Sequence, residues 1–235
     1  MGNFDKLKEN VLKANKALVS YGLVIFTWGN ASEIDREKGV VAIKPSGVSY
    51  DEMSVEDIVV TDLEGNTVEG KLKPSSDLKT HLELYKRFPK IGGVVHTHST
   101  FATAWAQAGR EVVCSGTTHA DYFYGPVPVT EALTVEDTKD YERMSGAVIA
   151  ETFEKGSRDY EATPAVLLKG HAPFTWGKDA ISAAENAAVL EEVCKTAFIT
   201  REILGHSPEI EKHIADKHYF RKHGSNAYYG QKKEK

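Results

Sequence analysis

The stretch Gly92-Gly93-Val94-Val95-His96-Thr97-His98-Ser99 constrains the fold more than any other. A glycine pair leads into two β-branched residues, which reads as a buried strand. Side chains alternate along a strand, so His96 and His98 share one face. Two imidazoles on one face suit a divalent metal, because neutral imidazole is a good ligand for zinc and its neighbours. An isolated His-x-His also arises by chance on half-exposed strands, so the weight falls on what the rest of the chain brings to it.

At 235 residues the chain has the length of one large domain, and no repeat, low-complexity block or linker divides 1–235. A formal net charge of −5 argues against a broad nucleic-acid backbone footprint. No apolar run is long enough to cross a bilayer, and residues 1–16 lack the apolar core of a secretory signal. The two cysteines, Cys114 and Cys194, lie far apart and in no metal spacing. That pattern fits free thiols in a reducing cytoplasm.

Phe4, Leu7, Val11, Ala14 and Leu18 repeat at helical spacing and predict an amphipathic helix ending near Gly22. Leu23-Val24-Ile25-Phe26 predicts a strand that ends in the loop Thr27-Trp28-Gly29-Asn30. Trp28 reads as core packing, and Asn30 as a polar side chain delivered to a rim. Val40-Val41-Ala42-Ile43 is a second short strand, leading into Lys44-Pro45-Ser46-Gly47. A turn with free N–H groups, a hydroxyl and a lysine is good anion chemistry, although such turns also simply reverse the chain. Glu64-Gly65-Asn66 marks a hairpin.

Lys73-Pro74-Ser75-Ser76-Asp77 precedes the helical pattern Leu78, Leu82, Tyr85 and Phe88. Ser75 or Ser76 is a natural N-cap and, at a helix start, a natural phosphate cradle. Asp77 in the first turn has the plain reading of a carboxylate complementing the helix dipole. His81, one turn on, reads as an interior histidine. A helix over 99–108 capped by Ser99 or Thr100, and a strand over 111–114, follow. The loop Gly116-Thr117-Thr118-His119-Ala120-Asp121-Tyr122-Phe123-Tyr124-Gly125 offers His119 or Asp121 as an acid/base group. A helix over 141–154 carries Glu142 in its first turn. Ala165-Val166-Leu167-Leu168 predicts a buried strand ending at Lys169-Gly170-His171, which makes His171 the best third metal ligand. A long helix over 179–204 and a tail with His218, Arg221, Tyr228 and Tyr229 complete the chain, and the Lys-rich end after Gln231 reads as a solvated terminus.

Three histidines, an acidic residue and several serine-glycine turns point to a Lewis acid beside a phosphate pocket, and so to carbonyl chemistry on a phosphosugar. Thr27-Trp28-Gly29-Asn30, Lys44-Pro45-Ser46-Gly47, Lys73-Pro74-Ser75-Ser76-Asp77, Val94-Val95-His96-Thr97-His98-Ser99, the loop 116–125, Gly170-His171-Ala172-Pro173-Phe174 and Lys217-His218-Tyr219 through Ala227-Tyr228-Tyr229-Gly230-Gln231 go further. In order and nearly end to end they resemble the L-ribulose-5-phosphate 4-epimerases of the class II aldolase and epimerase family. The resemblance implies a three-layer α/β/α sandwich around a mixed, mostly antiparallel sheet. It implies a ring-shaped homotetramer with active sites between subunits and a phosphorylated pentulose as substrate; charge, hydropathy and cysteine usage add the expectation of a cytoplasmic protein with no nucleic-acid or membrane partner.

Position by position, it implies one divalent ion per subunit, usually zinc in the family. His96, His98 and His171 would be its ligands, with Asp77 on or near it. Asn30, Lys44, Ser46, Gly47, Ser75 and Ser76 match substrate and phosphate positions. Thr117, Glu142, His218 and Arg221 match positions around the acid/base machinery, with Asp121 and Tyr229 as the two proton carriers. The implied reaction is retro-aldol cleavage of the C3–C4 bond and re-addition on the other face of the aldehyde. A class II sugar-phosphate aldolase is the first alternative. In those enzymes the residue after the serine pair is typically glutamate, whereas this chain has Asp77. A metal-free binding domain of the adducin-head type is the second, and such relatives lose the histidines kept here.

Overall fold

The computed structural model describes residues 3–224 and 227–230. Gln231 and the Lys-rich end lie outside the described residues. Seven strands form one sheet in the order β4-β3-β2-β1-β5-β7-β6. They are β1 (Asn30–Asp35), β2 (Val40–Ile43), β3 (Val59–Asp62), β4 (Thr67–Glu69), β5 (Gly93–His96), β6 (Ala165–Leu167) and β7 (Pro173–Gly177). All six pairings are antiparallel, and the only parallel contact among the described residues is an isolated bridge, Val129 to Leu167. The sheet is therefore less mixed than expected.

The helices are α1 (Asp5–Ser20), α2 (Leu78–Arg87), α3 (Thr100–Ala108), α4 (Thr117–Ala120), α5 (Tyr141–Lys155), α6 (Ala180–Leu204) and α7 (Lys212–Lys222). Strand alternation sorts them into layers. Val41, Ile43, Val94, Val166, Phe174 and Trp176 face α2 and α5, meeting Leu82, Tyr85, Ile149 and Phe153. Ala31 and Val95 face the other way, onto Ala14 and Leu18 of α1 and Ala180, Ala183, Ala184 and Ala187 of α6. The sheet is thus sandwiched, and no helix among the described residues is long and apolar enough to cross a membrane.

The glycine pair has a steric reason. A Cβ on Gly92 would lie 2.0 Å from the Lys178 carbonyl oxygen, and one on Gly93 would lie 2.3 Å from the Asp179 carbonyl carbon. Only glycine lets the start of α6 approach the histidine-bearing strand so closely. Glu33 supports the same junction, accepting from the Ala180 N–H at 2.9 Å.

Three local expectations fail. Leu23–Phe26 is not a strand: the Leu23 N–H closes the end of α1 on the Leu18 carbonyl, and Ile25 and Phe26 are exposed. The ladder begins only at Asn30, because the partner residues on β5 run from Gly93 to His96. The strand expected at 111–114 reduces to a single bridge, Val112 to Val127. Ser99 makes no side-chain cap to α3; Glu191 of α6 accepts from the Phe101 and Ala102 N–H groups at 2.8 and 2.9 Å instead. A carboxylate on a helix N-terminus is stronger than a hydroxyl, and only tertiary folding brings it there.

Candidate metal centre and substrate pocket

β1 begins where β5 ends, with Asn30 opposite His96 in the register. Gly29, at φ +90°, makes the entry possible, since a Cβ there would meet the His96 carbonyl oxygen at 2.8 Å. The turn before β7 brings His171 to the same edge. His96 Nε2 then lies 3.1 Å from His98 Nε2 and 3.2 Å from His171 Nε2. The three potential ligand atoms all fall within 4.8 Å of one another.

The protonation of the cluster follows from its neighbours. His96 Nδ1 is 3.0 Å from the Pro173 carbonyl, which can only accept, so Nδ1 carries a proton and in the neutral ring Nε2 is left with its lone pair. Burial, with the neighbouring imidazoles, holds His98 below the ordinary histidine range and His171 at about 4. Nitrogen lone pairs crowded this closely repel unless a cation lies among them. The donor set therefore fits a divalent ion such as zinc, with His96 Nδ1 held in the manner of a metal-ligating histidine.

Asp77 stands beside the cluster as the N-cap residue of α2, without a capping bond; neither Ser75 nor Ser76 takes that position. Asn30 Nδ2 donates to Asp77 Oδ2 at 2.6 Å and to Ser75 Oγ at 3.1 Å. Burial alone would raise the Asp77 carboxyl; the His96 and His81 imidazoles and the Asn30 amide outweigh it and hold it below its usual range. Asn30 Oδ1 is buried without a partner, an acceptor left for something that enters.

A cavity of about 580 Å³ joins these groups to Lys44, Ser46, Gly47, Ser75 and Ser76. Two cross-links, Ser46 N–H to the Lys73 carbonyl and Ser75 N–H to the Lys44 carbonyl, both 2.9 Å, stitch the two turns into one wall. Those two N–H groups are spent on the stitch and are not free as the sequence led us to expect. The buried Lys44 ammonium donates to the Val48 carbonyl at 2.8 Å and lies 4.8 Å from the Tyr50 ring, with no carboxylate partner among the described residues. A buried ammonium without a counter-charge, in one cavity with serine hydroxyls, suits an anion.

A second cluster forms elsewhere on the chain, and none of its members lines that cavity. Asp121, after α4, accepts two bonds from Arg221 at 2.8 and 2.6 Å and lies 3.2 Å from His218 Nδ1. Tyr229 lies under Arg221, 5.0 Å from ring centroid to guanidinium carbon. Burial pushes the Asp121 carboxyl up, but Arg221, Lys222 and His218 prevail and hold it low. Thr117 opens α4 beside a separate cavity of about 290 Å³. Glu142 sits in the first turn of α5, its carbonyl accepting from Thr80 Oγ1 at 2.6 Å. Within one chain most of the expected residues thus fall into two groups, with the Thr117 and Glu142 side chains in neither.

Sequence reasoning missed two contributors. The Tyr141 hydroxyl lies 3.2 Å from His171 Nδ1, the outer nitrogen of the third histidine. Its only signal was its place at a helix start. Trp28 is 52% exposed, not core, and lines the cavity with its ring against His98 at 6.4 Å between centroids. Nothing in the sequence separates a wall tryptophan from a core one.

An antiparallel sheet between helical layers, with three histidines and a carboxylate at one strand edge, defines a domain of the class II aldolase type. The family model described as the Class II Aldolase and Adducin N-terminal domain matches residues 9–198, and the chain belongs to that family. An L-fuculose 1-phosphate aldolase structure is similar at 29% identity, with a TM-score of 0.76 over 91% of this chain and 94% of that one. L-fuculose-1-phosphate aldolase from Thermus thermophilus is similar at 25% identity, with a TM-score of 0.67 over 87% and 99%. YgbL from Klebsiella pneumoniae, 22% identical over 92% and 99% of the chains with a TM-score of 0.73, shares the fold.

Proposed function

We propose that the chain epimerises L-ribulose 5-phosphate at C4, giving D-xylulose 5-phosphate. The observation that carries this reading is a single cavity holding the histidine cluster, Asp77 and the lone Lys44 ammonium. Lys44, Ser46, Gly47, Ser75 and Ser76 bind the phosphate. Asn30 orients Asp77 and offers Oδ1 to a substrate hydroxyl. A divalent ion, zinc by preference, held by His96, His98 and His171 with Asp77 beside it, supplies Lewis-acid polarisation of the ketose carbonyl when bound. The C4 hydroxyl loses its proton, the C3–C4 bond breaks, and its electron pair passes to C3 to give the enediolate of the ketose fragment. The other fragment is glycolaldehyde phosphate, kept by the phosphate site while its aldehyde turns. The enediolate re-attacks on the opposite face and the new C4 alkoxide is protonated.

The two faces need two proton carriers. Asp121 and Tyr229 of a neighbouring copy in a homotetramer fill these roles, with Thr117, Glu142, His218 and Arg221 around them. The enzyme works in the cytoplasm, which suits two free buried thiols, Cys114 and Cys194. The second reading is a sugar-phosphate aldolase, favoured by the similarity to the L-fuculose 1-phosphate aldolase structure. Asp77 in place of the glutamate typical of aldolases, and the His119-Ala120-Asp121-Tyr122-Phe123-Tyr124-Gly125 loop, favour epimerisation. Metal analysis of the purified protein, then its incubation with L-ribulose 5-phosphate, tests both. Accumulation of D-xylulose 5-phosphate supports epimerisation, and fast net release of glycolaldehyde phosphate would make it an aldolase.

A further inference from the structure

Beneath the cavity lies a buried polar chain that the reaction above does not use. Ser32 Oγ is 2.7 Å from His81 Nδ1 and 2.8 Å from the Tyr85 hydroxyl. Ser32 and His81 are fully buried and Tyr85 nearly so. His81 Nε2 has no hydrogen-bond partner.

Counting protons fixes the direction of the chain. If Tyr85 donates to Ser32 and Ser32 donates to His81 Nδ1, the neutral ring carries its proton on Nε2. Only that N–H is then unmatched. In the reverse order, the Tyr85 proton and the Nε2 lone pair are both unmatched. Each unmatched buried polar group is unfavourable, so the first order wins and His81 presents an Nε2–H donor.

Its acceptor follows from the surroundings. His81 lies one turn beyond Asp77 on α2, its backbone N–H donating to the Asp77 carbonyl at 3.1 Å. Among the described residues, Asp77 and His96 are the charged or titratable side chains that act on it through space, and Tyr85 reaches it through Ser32. His96 Nδ1 is already taken by Pro173. Asp77 Oδ2 takes Asn30, and Oδ1 accepts from no protein group among the described residues.

We propose that His81 is a positioning residue for Asp77, its Nε2–H clamping the second carboxylate oxygen, opposite Asn30, when a divalent cation sits at the histidine cluster. This rests on the metal reading of that cluster and on no particular sugar substrate. Cobalt(II) titration of metal-stripped protein, followed by visible absorption, tests it. H81N keeps an amide able to accept from Ser32 but has no N–H at the Nε2 position, whereas H81Q carries one there. H81N should lose on the order of 10- to 100-fold in cobalt affinity, H81Q should stay close to the unmodified protein, and the loss should vanish in a D77N background. Equal affinities for H81N and the unmodified protein, equal losses in H81N and H81Q, or an undiminished H81N loss in D77N would overturn the proposal. Should H81N fail to fold, S32A frees the ring to change tautomer and should weaken cobalt binding in the same direction; unchanged affinity there would also overturn it. An unmodified protein that takes up no cobalt would instead sink the metal reading itself.

Discussion

Asn30→Asp exchanges one amide nitrogen for an oxygen and leaves the shape of the site alone. In the unmodified protein Asn30 Nδ2 donates to Asp77 Oδ2 at 2.6 Å. Losing a hydrogen bond to a charged group costs about 1.5–3 kcal/mol. The new carboxylate would also face Asp77 at that distance, and such a pair relieves itself by keeping one proton between the two groups. Holding a proton on a carboxyl of ordinary pKa costs at most about 5 kcal/mol at pH 7.5 and about 1.5 kcal/mol at pH 5. The deficit of the variant therefore lies between about 1.5 and 8 kcal/mol at pH 7.5, and the open cavity favours the lower half. The shared proton raises the folded pKa of the pair above its unfolded value. The repulsive part is therefore full above that raised pKa and recedes as the pH falls through it. Urea unfolding of chelator-stripped variant and parent at both pH values measures this, because titrations common to the two cancel in the difference. A variant that tracks the parent at both pH values, or whose deficit grows on acidification, would refute the reasoning.

Four further outcomes are expected. Tyr141→Phe should weaken zinc binding by about 10- to 100-fold with little change in the melting curve, because the hydroxyl lies on the outer nitrogen of His171; chelator competition reads it. Gly93→Ala should lower stability by at least about 1–3 kcal/mol in thermal melts, since its Cβ would meet backbone atoms of Asp179 and Ala180 at 2.3 and 2.4 Å. His119, held down to about 4 by burial, should contribute on the order of 3 kcal/mol that is fully present above pH 6.5 and lost as pH falls toward 4; His119→Gln should flatten the stability profile over that window. Asp121→Asn and Tyr229→Phe should each slow epimerisation by about a hundred- to ten-thousand-fold while metal content holds, and near-parental rates in both would place the proton carriers elsewhere.

What the sequence disclosed and what it hid divide along one physical line. The buried strands Val40–Ile43, Gly93–His96 and Ala165–Leu167 were legible because their apolar runs are bounded by glycines on one side and end in polar groups. The same logic exposed His96, His98, His171 and Lys44, each set at or just beyond the end of such a run, while Ser75 was legible from its place before a helical pattern. Leu23–Phe26 misled because a short apolar run guarantees neither burial nor strand pairing: Ile25 and Phe26 are exposed. Only the β5 partner determines that the ladder starts at Asn30. Glu191 as the cap of α3, Tyr141 behind His171 and Ser32 beside His81 were invisible for a related reason. Each joins residues 30 to 90 positions apart, and no local pattern encodes such a pair.

The division of the chain into two polar clusters bears on the proposed reaction. The titratable groups lining the cavity are Lys44, Asp77 and three histidines. With the histidines around a cation, Asp77 beside it and Lys44 on the phosphate, no group there is left to serve the second face of the aldehyde. A two-faced proton transfer therefore needs a carrier from outside that lining, and the Asp121 cluster is the one the proposal brings in. Arg221 holds Asp121 as an ionised carboxylate with a low affinity for protons, which makes it a weak base on its own. For Asp121 to carry a proton, its bond to Arg221 has to be traded for one to the substrate, or the proton has to rest on His218, 3.2 Å away. Arg221→Lys separates these routes. It keeps the charge but removes the two-pronged grip, so the trade becomes easier, whereas a route through His218 is left as it was.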